Sequence, residues 1–551
     1  MLVLLIAAQY SGTRDEPAHL AAGMSHWRFG DFALYRVNPP LVQMAAALPA
    51  LLVGAAEDWS GFSSRPLSRA EFPVGRAFVA ANANRSIRLI LFARLACLPF
   101  ALVAACVCRR WAAELYGSAA GLVALSLWCF CPIVLGHAAL CTPDVAAAGM
   151  GAAACHAFWR WLRQPTWLAA AAAGGALGLA ELTKFTWLVL FAVWPLTLCA
   201  YRWRRRRFAM EAVAAARRST SYLQLAAMLL LAVYVINLGY AFQGTCRRLG
   251  DYRFASRLLK GTASARDDAA GAQQNRFAGT WLGFLPVPLP RDYVLGIDVQ
   301  RFDFETYPTT FFRGEWRDEA PWWAYFYALS IKLPLGTLAL IAVAALIAIR
   351  RPRAAISRDE FVLLAPAAAI LGVACTCTGL NSQVRYVLPA LPFLFIWCSK
   401  IASAARARWI GAALLLWSSL ATLANHPHHL AYFNELSGAS TTRPPPLLDS
   451  NFDWGQDLLN LERWMKANPS ATPLTLAYYG SFDPQDIGID ALPAQTRLTE
   501  GRASKPSPGW YAISLGKLWG QDDTFAFFRG VRPHAIIGRT IFVYHVREPS
   551  P

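Results

Sequence analysis

The chain alternates apolar windows of about 20 residues, the length a helix needs to cross a hydrocarbon core, with short gaps crowded by arginine. Ala119–Leu140 and Leu333–Ile349 contain no Asp, Glu, Lys or Arg, and comparable windows recur as far as Asn425. Only 16% of the 551 residues are charged, against about 25% in a soluble globular domain. These features predict a polytopic α-helical membrane protein.

A net charge of +18 raises the question of nucleic acid. The excess, however, sits in juxtamembrane clusters: Arg109-Arg110, Arg202 to Arg207, Arg350 to Arg353, and Arg406 with Arg408. That is the signature of cytoplasmic loops under the positive-inside rule, and it forms no continuous basic face for a nucleic acid. Membrane lipids with anionic headgroups are the expected partner of these loops. The 12 cysteines fall mostly in apolar windows and include no C-x-x-C pair, so they read as small core residues rather than zinc ligands or a disulfide frame.

Threading the chain on these clusters gives spans at 86–108, 118–138, 145–162, 167–183, 185–201, 221–240, 322–349, 361–380, 386–400 and 408–424. Met1–Tyr10 is apolar, too short to cross alone and without the charged start of a signal peptide; it reads as a clipped or marginal first helix. Counting it gives about eleven spans, with every arginine-rich loop on one side. The transmembrane domain then covers 1–424, and residues 11–85 and 241–320 form external loops. Pro17–Phe29 has the look of an interfacial amphipathic helix. After Pro444-Pro445-Pro446 the pattern changes, so 425–551 is expected as a small external α/β domain. Its strands are expected at Leu474–Tyr479, Trp510–Ser514 and Thr540–Val546, and a helix at Leu458–Met465. No internal repeat is visible, which counts against an inverted-repeat transporter.

Several ionisable groups gather towards the external side, where a charge near apolar surroundings needs a reason. Asp15 and Glu16 follow the first apolar segment, Asp144 and Lys184 stand at turns between spans, and Arg385 opens another span. Lys332 lies about ten residues into the expected 322–349 span, well within the bilayer at the helical rise. A carboxylate here suits a general base, and the cations suit a phosphate. Plainer readings exist for each: Asp144 as a helix cap, Lys184 and Arg385 as side chains snorkelling to headgroups, Lys332 as one half of a structural ion pair.

Asp15-Glu16-Pro17-Ala18-His19, Gly30-Asp31-Phe32 and Asn38-Pro39-Pro40-Leu41 resemble the first external loop of the protein O-mannosyltransferase-like glycosyltransferases of the GT-C fold. Asn38 stands where that family usually has His. Gly314-Glu315, Lys332-Leu333-Pro334-Leu335 and Arg385–Pro389 look similar as well. The most distinctive stretch, Asp449-Ser450-Asn451-Phe452-Asp453-Trp454-Gly455-Gln456-Asp457-Leu458, resembles a signature of phospholipid-carrier-dependent glycosyltransferases. The resemblance implies transfer of a hexosyl or pentosyl unit from a polyprenyl phosphate to an acceptor hydroxyl on a protein, lipid or glycan, with inversion. It implies an inner membrane with the active face periplasmic or extracellular. It also implies catalytic Asp15 with Glu16 beside it; Arg385, Lys332 and Lys184 on the donor phosphate; and Asp144 positioning the acceptor or a divalent metal ion. Asp449, Asp453 and Asp457, at four-residue spacing, could line one helical face, and a capping or domain-docking role stands beside acceptor or metal binding for this stretch. A transporter, flippase or non-catalytic scaffold is the alternative.

Overall fold

The computed structural model describes all residues except 64, 66, 207–213, 262–274, 307–308, 351–356, 377–382, 405–406, 440–442, 495–497, 500–501, 504–505 and 548–551. The side chains of the 204–207 cluster, residues 351–353 and Arg406 lie outside the described set. Among the described residues, four helices are long and apolar enough to cross a membrane, or six if each of two bent pairs is one span. These four are Glu71–Tyr116, Phe185–Trp203, Thr220–Gly239 and Arg358–Thr376. Others of the expected spans are shorter apolar helices such as Trp167–Glu181 and Arg408–Ala424.

Proline explains both bent pairs. Ser118–Cys129 and Pro132–Ala138 meet at 60°, and Ala324–Lys332 and Leu335–Arg350 at 119°. Pro334 forces Leu333 out of the helical region (φ −92°, ψ 143°), so the helix stops one residue earlier, at Lys332. The straight 322–349 span expected from hydropathy is therefore broken, and Lys332 sits at the break rather than midway along a rod.

Helices approach closely where side chains vanish. On Trp167–Glu181, Gly174 and Gly178 face Ala214–Gly239; a Cβ on Gly174 would lie 2.5 Å from the Met228 carbonyl oxygen. Small residues four apart are the usual device for close packing between membrane helices.

The segments expected outside fold together at one end of the bundle. Glu16–Phe29 is buried from Glu16 to His26 between Pro40–Leu52 and Glu71–Asn82, so it is an inner wall and not the surface-lying amphipathic helix expected. Only its last turn, with Trp27, Arg28 and Phe29, is exposed. Arg36 pairs with Asp292 at 2.6 Å, joining this region to the Arg291–Thr306 helix. A hairpin, Thr310–Phe312 with Glu315–Arg317, follows and bridges through Phe312 to Leu447.

The C-terminal part is a five-stranded mixed sheet in the order Leu492–Pro493, Leu474–Ala477, Gly509–Ser514, Ile541–Val546, Ala535–Ile537. The first three strands run parallel and the rest antiparallel, with Ala512 opposite Val543 in the centre. The three expected strands and the helix, Leu458–Ala467, are all present. The 449–457 stretch departs from expectation: Asp449 and Gly455 have φ of +57° and +88°, which breaks any helical face, and the helix starts only at Leu458.

Candidate active site

A polar cavity of about 310 Å³ lies where the segments expected outside meet the bundle. Four of the six site residues expected from sequence line it: Asp15, Asp144, Lys184 and Arg385. Asp15 is the residue before the Glu16–Phe29 helix, and its backbone carbonyl accepts from the His19 N–H. Asp144 stands in the first turn of Pro143–Arg163 and caps nothing with its side chain. Instead Oδ1 accepts from Lys184 Nζ at 2.6 Å, while Oδ2 is buried without a partner among the described residues. Lys184 is 6% exposed, so it turns inward instead of snorkelling.

Arg385 belongs to the short 3-10 turn Val384–Tyr386. Its Nη1 donates to Asp15 Oδ2 at 3.1 Å and its Nε to Gln383 Oε1 at 2.7 Å. The guanidinium lies 4.6 Å from the Trp454 ring centre, an arrangement that holds a planar cation in place. Of its five donors, three make no hydrogen bond among the described residues. Asp15 Oδ1 is likewise unengaged among the described residues.

Glu16 and Lys332 are elsewhere. Both carboxylate oxygens of Glu16 are occupied: it accepts from Arg94 Nε and Nη2, from the backbone of Cys141, and from Thr13 through both N–H and hydroxyl. Arg94 spends its remaining donors on the carbonyls of Ala7, Tyr10 and Ser11. This is a closed structural node, with Glu16 0% and Arg94 2% exposed. Lys332 donates to the carbonyls of Leu430 (2.9 Å) and Asn451 (2.6 Å) and meets no carboxylate among the described residues. Asn451 Oδ1 in turn accepts from the Val384 N–H, so Lys332 braces the loop that sets Arg385.

The cavity also holds residues that sequence reading did not assign. Arg14 and Gln383 flank motif residues and were within reach of it; Arg69 comes from a distant loop, and Gln300 and Asp303 from the Arg291–Thr306 helix, and none of the three carries a local signal. His19 lines the cavity with Nδ1 unpartnered among the described residues, and burial pushes its imidazole down to about 4. Asn38 and Asp449 line it too. Burial raises the Asp449 carboxyl, with Asp15 adding to the effect and Arg385 and Arg14 opposing it. Asp453 and Asp457 point away, into the join with the C-terminal sheet: Asp453 Oδ2 accepts from the Gly516 N–H at 2.7 Å and Asp457 Oδ2 from Thr540 Oγ1 at 2.8 Å. The chain segment carrying Asp15 is docked on the same signature, through Ser11 N to the Gln456 carbonyl and Arg14 N to the Trp454 carbonyl.

For a metal ion the cavity offers little. No three His, Cys, Asp or Glu side chains are grouped as ligands among the described residues, and Asp15 and Asp144 each face a cation.

Comparison with known proteins places two solved structures beside this one. One is ArnT from Cupriavidus metallidurans bound to undecaprenyl phosphate, to which this chain is similar at 14% identity over 78% of this chain and 69% of that one, with a TM-score of 0.44. The same protein in its apo state aligns over 98% of this chain and 95% of that one, at 15% identity and a TM-score of 0.29. Likenesses this remote transfer no residue roles. No protein-family model and no curated protein matches the chain.

Proposed function

We propose that the chain is an inverting glycosyltransferase that moves a sugar from a polyprenyl phosphate to an acceptor hydroxyl on the external side of a bacterial-type inner membrane. The observation that carries this reading is the pairing, in one cavity, of a half-free carboxylate on Asp15 with two partly unspent cations, Arg385 and Lys184. Nucleotide-binding glycine motifs are not needed, because the leaving group is already a phosphate on a lipid.

The donor is a phosphodiester. As the bond between the anomeric carbon and the phosphate oxygen breaks, the phosphate gains negative charge, and fixed cations are worth most against charge that develops in the transition state. Among the described residues Arg385 has three donors left for it, and Lys184 two beyond the one given to Asp144. On the opposite face of the sugar the acceptor oxygen forms its bond to the anomeric carbon and passes its proton to Asp15 Oδ1. Attack opposite the leaving group inverts the centre. Asp144 holds Lys184 in place by its ion pair. Glu16 and Lys332 act through structure, the first by fixing the loop that ends in Asp15 and the second by bracing the loop beside Arg385.

The test is transfer from radiolabelled polyprenyl-phosphate sugars in proteoliposomes, comparing wild type with Asp15→Asn. Label moving to acceptor only in the wild type supports the reading. A folded Asp15→Asn protein that transfers at the wild-type rate would remove Asp15 from its role.

A further inference from the structure

The cavity has a neighbour. A second cavity of about 80 Å³ shares Gln383 and Asp449 with the first. Its remaining walls include Thr310 and Trp316 of the hairpin and Tyr479 and Gly516 of the C-terminal domain, none of which lines the first cavity. Two polar bridges cross the partition. Asp15, Arg385, Gln383 and Asp449 form one continuous run of hydrogen bonds at 3.1, 2.7 and 2.9 Å. Arg14, on the first cavity, donates to the phenol oxygen of Tyr479, on the second, at 2.6 Å.

We propose that this second cavity is the acceptor subsite, and that the group it takes is a saccharide ring. The ring stacks on Trp316, hydrogen-bonds through its hydroxyls to Asp449, and presents one hydroxyl past Asp449 towards Asp15. The assignment rests on the glycosyltransferase reading above and adds the acceptor class to it.

The chemistry of the walls favours a sugar. A pyranose has an apolar C–H face and a hydroxylated edge, so it suits an aromatic plane beside a carboxylate. Trp316 is 40% exposed, yet its orientation is fixed: Nε1 donates to the Trp519 carbonyl at 2.8 Å, and the ring packs edge-on against Phe311. Asp449 is fixed as well, accepting from Gln383 Nε2 on one oxygen and from the Ser450 N–H on the other. Its left-handed backbone, φ +57°, is a conformation that non-glycine residues hold only where the surroundings impose it, and such positions cluster at ligand sites. Groups held in this way lose little freedom when a ligand arrives. A peptide acceptor bound by strand addition, one of the recurring modes of peptide recognition, would need an open strand edge. The hairpin strand nearest the cavity, Thr310–Phe312, has Glu315–Arg317 on one side and is bridged to Leu447 through Phe312, with Arg313 N bonded to the Pro446 carbonyl.

The experiment uses the full chain in lipid nanodiscs and three probes: a panel of methyl hexopyranosides and pentopyranosides followed by saturation-transfer NMR, a Ser/Thr-containing peptide, and undecaprenyl phosphate. At least one glycoside is expected to bind the wild type. Trp316→Ala is expected to weaken that binding about tenfold and Trp316→Tyr to restore most of it, while undecaprenyl phosphate binds both variants as it binds wild type. Asp449→Asn is expected to weaken glycoside binding too. The proposal is overturned if no glycoside binds a chain that does bind undecaprenyl phosphate, if glycosides bind Trp316→Ala undiminished, or if the peptide binds in a Trp316-dependent way and the sugars do not. Trp316-dependent glycoside binding in a chain that ignores undecaprenyl phosphate would instead keep the sugar site and remove the donor reading.

Discussion

Asp15 and Glu16 are neighbours in sequence and opposites in structure. Asp15 faces a cavity with one oxygen on Arg385 and the other unengaged among the described residues. Glu16 turns the other way, into a node where both its oxygens are taken by Arg94, Thr13 and Cys141 and the rest of Arg94's donors go to the carbonyls of Ala7, Tyr10 and Ser11. The same contrast is repeated on the far side of the join, where Asp449 lines both cavities while Asp453 and Asp457 are folded into the seam with the C-terminal domain. Carboxylates with spare capacity can do chemistry; carboxylates with none hold the chemistry in position.

The sharpest way to break this comparison is to exchange the expected phenotypes. Asp15→Asn should lower sugar transfer by about 10²–10⁴-fold, the usual range for removing a general base, with thermal unfolding in nanodiscs unchanged. Arg94→Ala should do the reverse: it leaves Glu16 charged and buried, a change worth about 3–5 kcal/mol, so unfolding temperature and yield fall together. An Arg94→Ala protein as stable as wild type would show that the node is not structural.

A smaller effect is expected at the seam. Gly455 has φ +88°, and a Cβ there would come within 2.7 Å of the Tyr479 carbonyl oxygen, which is backbone and cannot swing aside. Gly455→Ala should cost about 1–3 kcal/mol and loosen the contact of Ser11 with residues 455 and 456, on which the Asp15 loop is docked. The readout is faster hydrogen exchange at Ser11 and Arg14, with a matching loss of transfer. Unchanged exchange would detach the C-terminal domain from control of the loop.

What sequence could show followed from how local each signal is. The strands around Ala512 and Val543 carry period-two or apolar runs and were legible, as was the gathering of Asp15, Asp144, Lys184 and Arg385 on one side. Lys332 misled because hydropathy averages over Pro334, whereas the backbone does not. Glu16 and Asp15 could not be told apart, since the partner that separates them, Arg94, is 78 residues away. Arg69, in a loop, and Asp303, on the Arg291–Thr306 helix, reach the first cavity only by tertiary packing, and nothing near them in the chain announces it; Trp316 follows the Gly314-Glu315 pair that the resemblance marks, but only the hairpin shows what it lines.

The two closed nodes should also differ in the sign of their pH dependence. Burial works to raise the Glu16 carboxyl, but Arg94 and the N–H groups of Thr13 and Cys141 outweigh it and hold it below the usual carboxylate range. Its contribution is therefore present above the unfolded value, about 4.3, and is lost as pH falls through the lower folded value. Burial instead pushes Asp453 up to about 7 and Asp457 up to about 6, against the opposing Gly516, Gly455 and Thr540 hydrogen bonds and the nearby Arg539. Between the unfolded value, about 3.9, and these folded values the native state binds more protons than the unfolded one, so stability falls as pH rises. Hydrogen exchange in the Gly509–Ser514 strand should accordingly become faster from pH 5 to pH 7, after correction for intrinsic chemistry. Exchange at Thr13 and Glu16 should not follow it. In Asp457→Asn the strand's pH slope should shrink while the Glu16 node is untouched. An identical slope in that variant would mean the seam carboxylates are ionised in the folded protein, and the division between spare and spent carboxylates would then need a different cause at that end of the molecule.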